Sequence, residues 1–149
     1  MATIVPGHRV ASGLNGNPRF PGGTIRMQAP HFAAQGLDLS GFHFGTVNVS
    51  IAPRSYRVKT PRHLFRSLKW HPVEPAEDFS IFDVTVELED HQSVSGLIYH
   101  PHPDTKPEHF QKPDVLELLL PWTEGLAYGM NIMLEVPEEQ MEFTSPGIS

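Results

Sequence analysis

Phe79-Ser80-Ile81-Phe82-Asp83-Val84-Thr85-Val86-Glu87-Leu88, followed by Glu89-Asp90-His91-Gln92 and then Ser93-Val94-Ser95-Gly96-Leu97-Ile98-Tyr99, is the stretch that decides the fold. Its first part is rich in aromatic and β-branched residues. Phe82, Val84, Val86 and Leu88 fall at alternate positions, which puts them on one face of an extended strand. The polar tetrapeptide is a turn, and the last part returns as the partner strand of a long β-hairpin.

Outward from the hairpin the chain is broken often. Fifteen prolines and twelve glycines in 149 residues disfavour long helices and favour short strands joined by turns. Arg9-Val10-Ala11 and Thr24-Ile25-Arg26-Met27 read as strands. His31-Phe32-Ala33-Ala34-Gln35 reads as a helical turn or two after Pro30, stopped by Gly36. Thr46 to Ile51 alternates as a strand, and Ser55-Tyr56-Arg57-Val58 is extended. Thr60-Pro61 followed by Leu64, Phe65 and Leu68 predicts a short amphipathic helix, with Thr60 as cap and Pro61 in its first position. Val115-Leu116-Glu117-Leu118-Leu119-Leu120 is a buried strand or a short helix, and periodicity does not choose between them. Asn131-Ile132-Met133-Leu134-Glu135-Val136 is expected to be the last strand. This pattern predicts an all-β protein with minor α content, a small β-barrel with one or two short helices. One domain is expected over residues 1–136, with a flexible tail over 137–149. A doubly wound α/β sheet is excluded because the helices it needs are missing.

Charge is unevenly distributed. Residues 1–70 carry nine Lys and Arg against the single acid Asp38, and residues 71–149 carry two Lys against sixteen acids. The N-terminal half can therefore attract anions, or the two halves can neutralise each other across the barrel. The net charge of −6, with no run of basic and aromatic residues, argues against nucleic acid as partner. There is no cysteine for disulfides or thiolate chemistry, which fits a reducing compartment, and the cytoplasm is the expected location. The segment from Met1 to Gly7 is not expected to act as a signal peptide, and no stretch is apolar enough to predict a membrane span.

Phe44-Gly45-Thr46-Val47-Asn48-Val49-Ser50-Ile51 places a hydroxyl and a carboxamide two residues apart on one strand face. Thr46 and Asn48 are close enough to hold one metal ion or one phosphate together. Arg54 and Arg57 follow directly. The loop Ser12-Gly13-Leu14-Asn15-Gly16 lacks the Lys-Ser/Thr end of a Walker sequence, but its glycines permit backbone N–H groups to approach a phosphate. Glu117, inside an apolar run, is a candidate general base for a substrate hydroxyl if it lines a cleft. His100, His102 and His109 cluster in a proline-rich loop and form an alternative, transition-metal site. No Gly-x-Ser-x-Gly elbow supports nucleophilic catalysis.

In this order the pieces resemble the CTP-dependent riboflavin kinases of archaea, a cradle-loop barrel family. The likeness rests on Val10-Ala11-Ser12-Gly13-Leu14-Asn15-Gly16, on Gly45-Thr46-Val47-Asn48-Val49 and on Asp114-Val115-Leu116-Glu117-Leu118. The resemblance implies a cradle-loop barrel that binds Mg²⁺ through Thr46 and Asn48. It also implies a nucleotide, CTP or another, along residues 12–16, and a riboflavin hydroxyl near Glu117. The expected reaction is transfer of the nucleotide γ-phosphate to riboflavin. The chain departs from the family in Asn15, Asn17 and Pro18 of the glycine loop and in Tyr128-Gly129-Met130, where an Asp-Gly-Asp turn is usual. A shared fold does not fix the substrate. Two alternatives stay open: a non-catalytic module binding a nucleotide, flavin or other small anion, and a metal-dependent enzyme built on His100, His102 and His109.

Overall fold

The computed structural model describes residues 2–5, 24–42, 46–70, 76–102, 114–121, 126 and 128–144. The elements are β1 (Ala2–Val5), α1 (Thr24–Ala34), β2 (Val47–Ser50), β3 (Ser55–Val58), β4 (His63–Leu68), β5 (Glu77–Glu87), β6 (Ser93–Pro101), β7 (Val115–Leu119), β8 (Asn131–Glu135) and β9 (Met141–Thr144). The fold is all-β with one helix among the described residues. The main sheet runs β4-β5-β6-β7-β2-β1-β8, and β8 returns to pair with β5. The six strands from β5 round to β8 thus form a barrel-like ring, as the alternating pattern predicts. Its seam is short, limited to Thr85↔Glu135, Val86↔Leu134 and Glu87↔Met133.

The expected hairpin is the centre of this arrangement. β5 and β6 pair without a break from Phe79↔Pro101 to Glu87↔Ser93. Phe82, Val84, Val86 and Leu88 all face the barrel interior, packed with Val49, Ile98, Leu116, Leu118 and Ile132. The opposite face of the same strands is buried too. Phe79, Ile81, Leu97, Tyr99 and Leu119 form a second apolar layer with Phe65, Leu68 and Trp70, covered by Phe32 of α1 and by Leu37 and Leu39 just beyond it. β7, left open between strand and helix by its sequence, is a strand because it is buried on both faces between β2 and β6.

Three expectations differ from the structure. Residues 24–27 open the helix instead of forming a strand. Four alternating residues are too few to fix a period, and the long-range need to cover the outer face decided it. The predicted stop is in place. Gly36 has φ of 100°, Leu37 N donates to Phe32 O and Gly36 N to Ala33 O, a Schellman closure in which Leu37 also packs with Phe32. The helix predicted over 60–68 is instead β4, paired with β5 through Phe65↔Phe79. Phe65 and Leu68 are three apart, a helical spacing. A bulge between them, with Ser67 at φ of 52°, turns both to the outer layer. The tail expected to be flexible from 137 folds as far as Thr144. Met141 is buried in the interior, β9 pairs with β3, and Gln140 grips Asp83 through Nε2 to Oδ2 (2.9 Å) and Asp83 N to Oε1 (2.8 Å). The strand expected at 9–11 lies outside the described residues. Among the described residues no helix is long and apolar enough to cross a membrane.

Gly96 on β6 packs closely against the end of β7. A Cβ added there would meet Leu119 O at 2.6 Å and run into Leu120 Cδ2. Gly96→Ala is therefore expected to destabilise the protein by about 1–3 kcal/mol through overpacking, whereas Ser95→Ala, on the exposed neighbour, leaves the urea midpoint within error. Met141→Ala should cost about 2–5 kcal/mol in the same measurement, because it empties a core position that a mobile tail would not fill.

Candidate functional site

β2 and β7 are antiparallel neighbours in a register that pairs Asn48 with Glu117. Asn48 and Glu117 therefore sit side by side on the outer face of the sheet, opposite to Val49 and Leu116. Thr46, two residues before Asn48, donates its hydroxyl to Glu117 Oε1 at 3.3 Å. The three side chains singled out from the Thr-Asn strand and the Val-Glu segment are thus brought together. Asn48 is 8% and Glu117 7% exposed, so they sit within the protein and not on its open surface.

The row continues into β6, where Tyr99 pairs with Glu117. Tyr99 donates its hydroxyl to Gln28 Oε1 of α1 at 2.7 Å, and both residues are buried. At the other side of this layer Trp70 Nε1 donates to Glu77 Oε2 at 2.8 Å, again buried. Burial drives the Tyr99 phenol well above its ordinary range. The nearby Glu117 and Glu77 carboxylates push the same way, against the Gln28 hydrogen bond. Tyr56 is raised as well, first by burial and then by Glu117. Sequence reasoning passed over Gln28, Glu77 and Tyr99. Gln28 is legible only as the polar member of a helix face, and the local alternation of residues 24–27 favours a strand.

The other anticipated residues are placed differently. Arg54 is exposed in the connection between β2 and β3. Arg57 is bound to Glu142 across the β3–β9 pair, Arg62 meets Asp83 at 3.0 Å, and Arg66 lies 4.0 Å from Asp78. These three guanidinium groups are engaged by acids of the C-terminal half, so the two oppositely charged halves meet strand against strand. Such exposed pairs contribute little stability individually. The loop of Ser12, Gly13, Leu14, Asn15 and Gly16 lies outside the described residues, as does His109. His100 and His102 stand together at the end of β6, with ring centroids 5.7 Å apart. Among the described residues, no group of three or more His, Cys, Asp or Glu side chains is arranged to hold a metal ion.

Chemically, the Thr46–Asn48–Glu117 group offers a hydroxyl, a carboxamide oxygen and a carboxylate. All are hard oxygen donors, and they suit Mg²⁺ that keeps part of its water or shares phosphate oxygens. The carboxylate could also accept a proton from a bound hydroxyl.

Tyr99→Phe deletes the donor to a carbonyl of Gln28, which is only 1% exposed. It is expected to cost about 1–3 kcal/mol at neutral pH by chemical denaturation. Because the folded pKa is raised, the Tyr99 contribution is complete below about pH 10, where free tyrosine titrates, and is lost as pH rises towards the folded value. Ultraviolet absorbance should show the Tyr99 phenolate forming only together with alkaline unfolding, and that component should be missing in Tyr99→Phe.

A scan of protein-family models finds none that matches this chain, and a search of curated proteins finds no relative.

Proposed function

We propose that this barrel binds a phosphorylated small molecule at the Thr46–Asn48–Glu117 group and transfers a phosphoryl group to a hydroxyl there. Riboflavin is the acceptor and a nucleoside triphosphate, CTP first, the donor. The observation that carries the reading is the Thr46 hydroxyl at 3.3 Å from the Glu117 carboxylate, with Asn48 directly opposite Glu117 in the register of β2 against β7. Three residues from two separate segments of sequence, each expected to serve one site, converge on one face.

In this reading Thr46 and Asn48 would hold Mg²⁺, which supplies charge neutralisation for the donor phosphates when bound. Glu117 orients the acceptor hydroxyl and takes its proton as the oxygen attacks the γ-phosphorus. The bond from that phosphorus to the β-γ bridging oxygen breaks, and the nucleoside diphosphate leaves with the electron pair. Burial of Glu117 and Asn48 keeps competing water from the transferring group. A second reading, a binding module without turnover, is favoured by one specific observation. Arg57, Arg62 and Arg66 are engaged by acids, so these groups are not gathered on the site as a charge clamp for the γ-phosphate.

Incubation with riboflavin, Mg²⁺ and each nucleoside triphosphate in turn should yield FMN, read by chromatography with fluorescence. Glu117→Gln is expected to lower kcat by roughly 10²–10⁴-fold while leaving KM within a few-fold. The double variant Thr46→Ala, Asn48→Ala should lose both turnover and nucleotide binding. Calorimetric binding of riboflavin or nucleotide without FMN would establish the module reading instead. Absence of both binding and turnover would overturn the site itself.

A further inference from the structure

Away from the Thr46–Glu117 group, a second cluster of polar side chains among the described residues lies where β6 ends. His100 and His102 are two residues apart along an extended segment, so both project to the same side. The extension continues past the strand proper, since His102 N donates to Asp78 O at 2.9 Å. The two ring centroids are 5.7 Å apart with planes inclined by 45°. That is the separation of two imidazoles sharing an ion. With metal–nitrogen bonds of about 2.0–2.1 Å, ring centres on a common metal lie roughly 5–6 Å apart at tetrahedral to trigonal angles.

Both rings are also held in place. Ser80, only 2% exposed, puts its hydroxyl 2.6 Å from His102 Nε2. When His102 donates its Nε2–H to that hydroxyl, the ring is held in orientation and Nδ1 is left as the metal-binding nitrogen. Tyr56 meets the His100 ring edge-on, with centroids 5.9 Å apart at 88°, and Phe82 lies at 6.4 Å from it. Neither ring is free to sweep through solvent, and both are half-buried. Preorganisation of this sort lowers the entropic cost of closing a chelate.

We propose that His100 and His102 form a two-imidazole site for a divalent transition ion, with Zn²⁺ as the probe, and that solvent completes its coordination. Nitrogen donors favour ions of this class over Mg²⁺, so the site differs in metal preference from the oxygen group on β2 and β7. With two protein ligands among the described residues, it offers open positions for an exchangeable ligand. It stands independently of phosphoryl transfer.

The test is calorimetric titration of the full chain with Zn²⁺ in the presence of excess Mg²⁺. One equivalent is expected, with His100→Ala and His102→Ala each weakening the affinity at least tenfold. Ser80→Ala should weaken it by roughly tenfold through loss of ring orientation, and His63→Ala should leave it unchanged. Diethyl pyrocarbonate labelling of the unaltered protein, read by mass spectrometry, gives a second measure where a variant fails to fold. Zn²⁺ should protect His100 and His102 and leave His63 reactive. Absence of binding, affinity that survives both replacements, or protection falling on other histidines would overturn the proposal.

Discussion

Pairing along β5 is the constraint on which the remaining structure hangs. One edge of this strand is taken by β6 from Phe79 to Glu87. The other edge is divided, with β4 alongside its first half and β8 alongside its last residues. Buried backbone N–H and C=O groups must find partners, and a strand of this length cannot leave an edge open inside two apolar layers. The division has two consequences. β8 closes the ring, and β4 extends the sheet beyond it to carry Phe65 and Leu68 into the outer layer. Both faces of β5 are then covered, by the barrel interior on one side and by the α1 region on the other.

The outer layer is where polar chemistry enters the core. Glu117, Asn48, Tyr99 and Gln28 come from β7, β2, β6 and α1, and each is buried. Placing such groups out of water is costly unless they meet one another. Contacts such as Thr46 to Glu117 and Tyr99 to Gln28 meet that demand and also fix the orientation of the side chains. A functional group held in this way is ready for chemistry without reorganisation, which links the packing of the helix to any reaction at Glu117.

The split of charge along the chain acquires a structural meaning as well. The basic residues of β3 and β4, or beside them, face acids on β9 and β5, because antiparallel pairing of β3 with β9 and of β4 with β5 brings the two halves of the chain edge to edge. Glutamine does similar work at Gln140, whose amide satisfies both the backbone and the carboxylate of Asp83. The C-terminal turn is thereby tied to the same strand that organises the barrel, and this explains why residues beyond 136 are part of the folded unit.

The hairpin, the strand Val47–Ser50 and the strand character of 55–58 were legible because alternation over several residues is a local property, fixed by the period of the backbone. So was the helix stop at Gly36, where backbone conformation admits little else. The Thr46, Asn48 and Glu117 side chains could be picked out one by one as oxygen donors among apolar neighbours. Their meeting could not, since it depends on the register of β2 against β7, across residues far apart in sequence. The segment at 63–68 shows the same division: its local cap and spacing favour a helix, yet pairing with β5 and a bulge at Ser67 outweigh them. Sequence by itself determined the strands whose alternation is long enough to fix a period, and which side chains carry reactive groups. Tertiary structure decided which faces are buried, which charges cancel and which polar groups meet, because those outcomes depend on long-range pairing that no local pattern encodes.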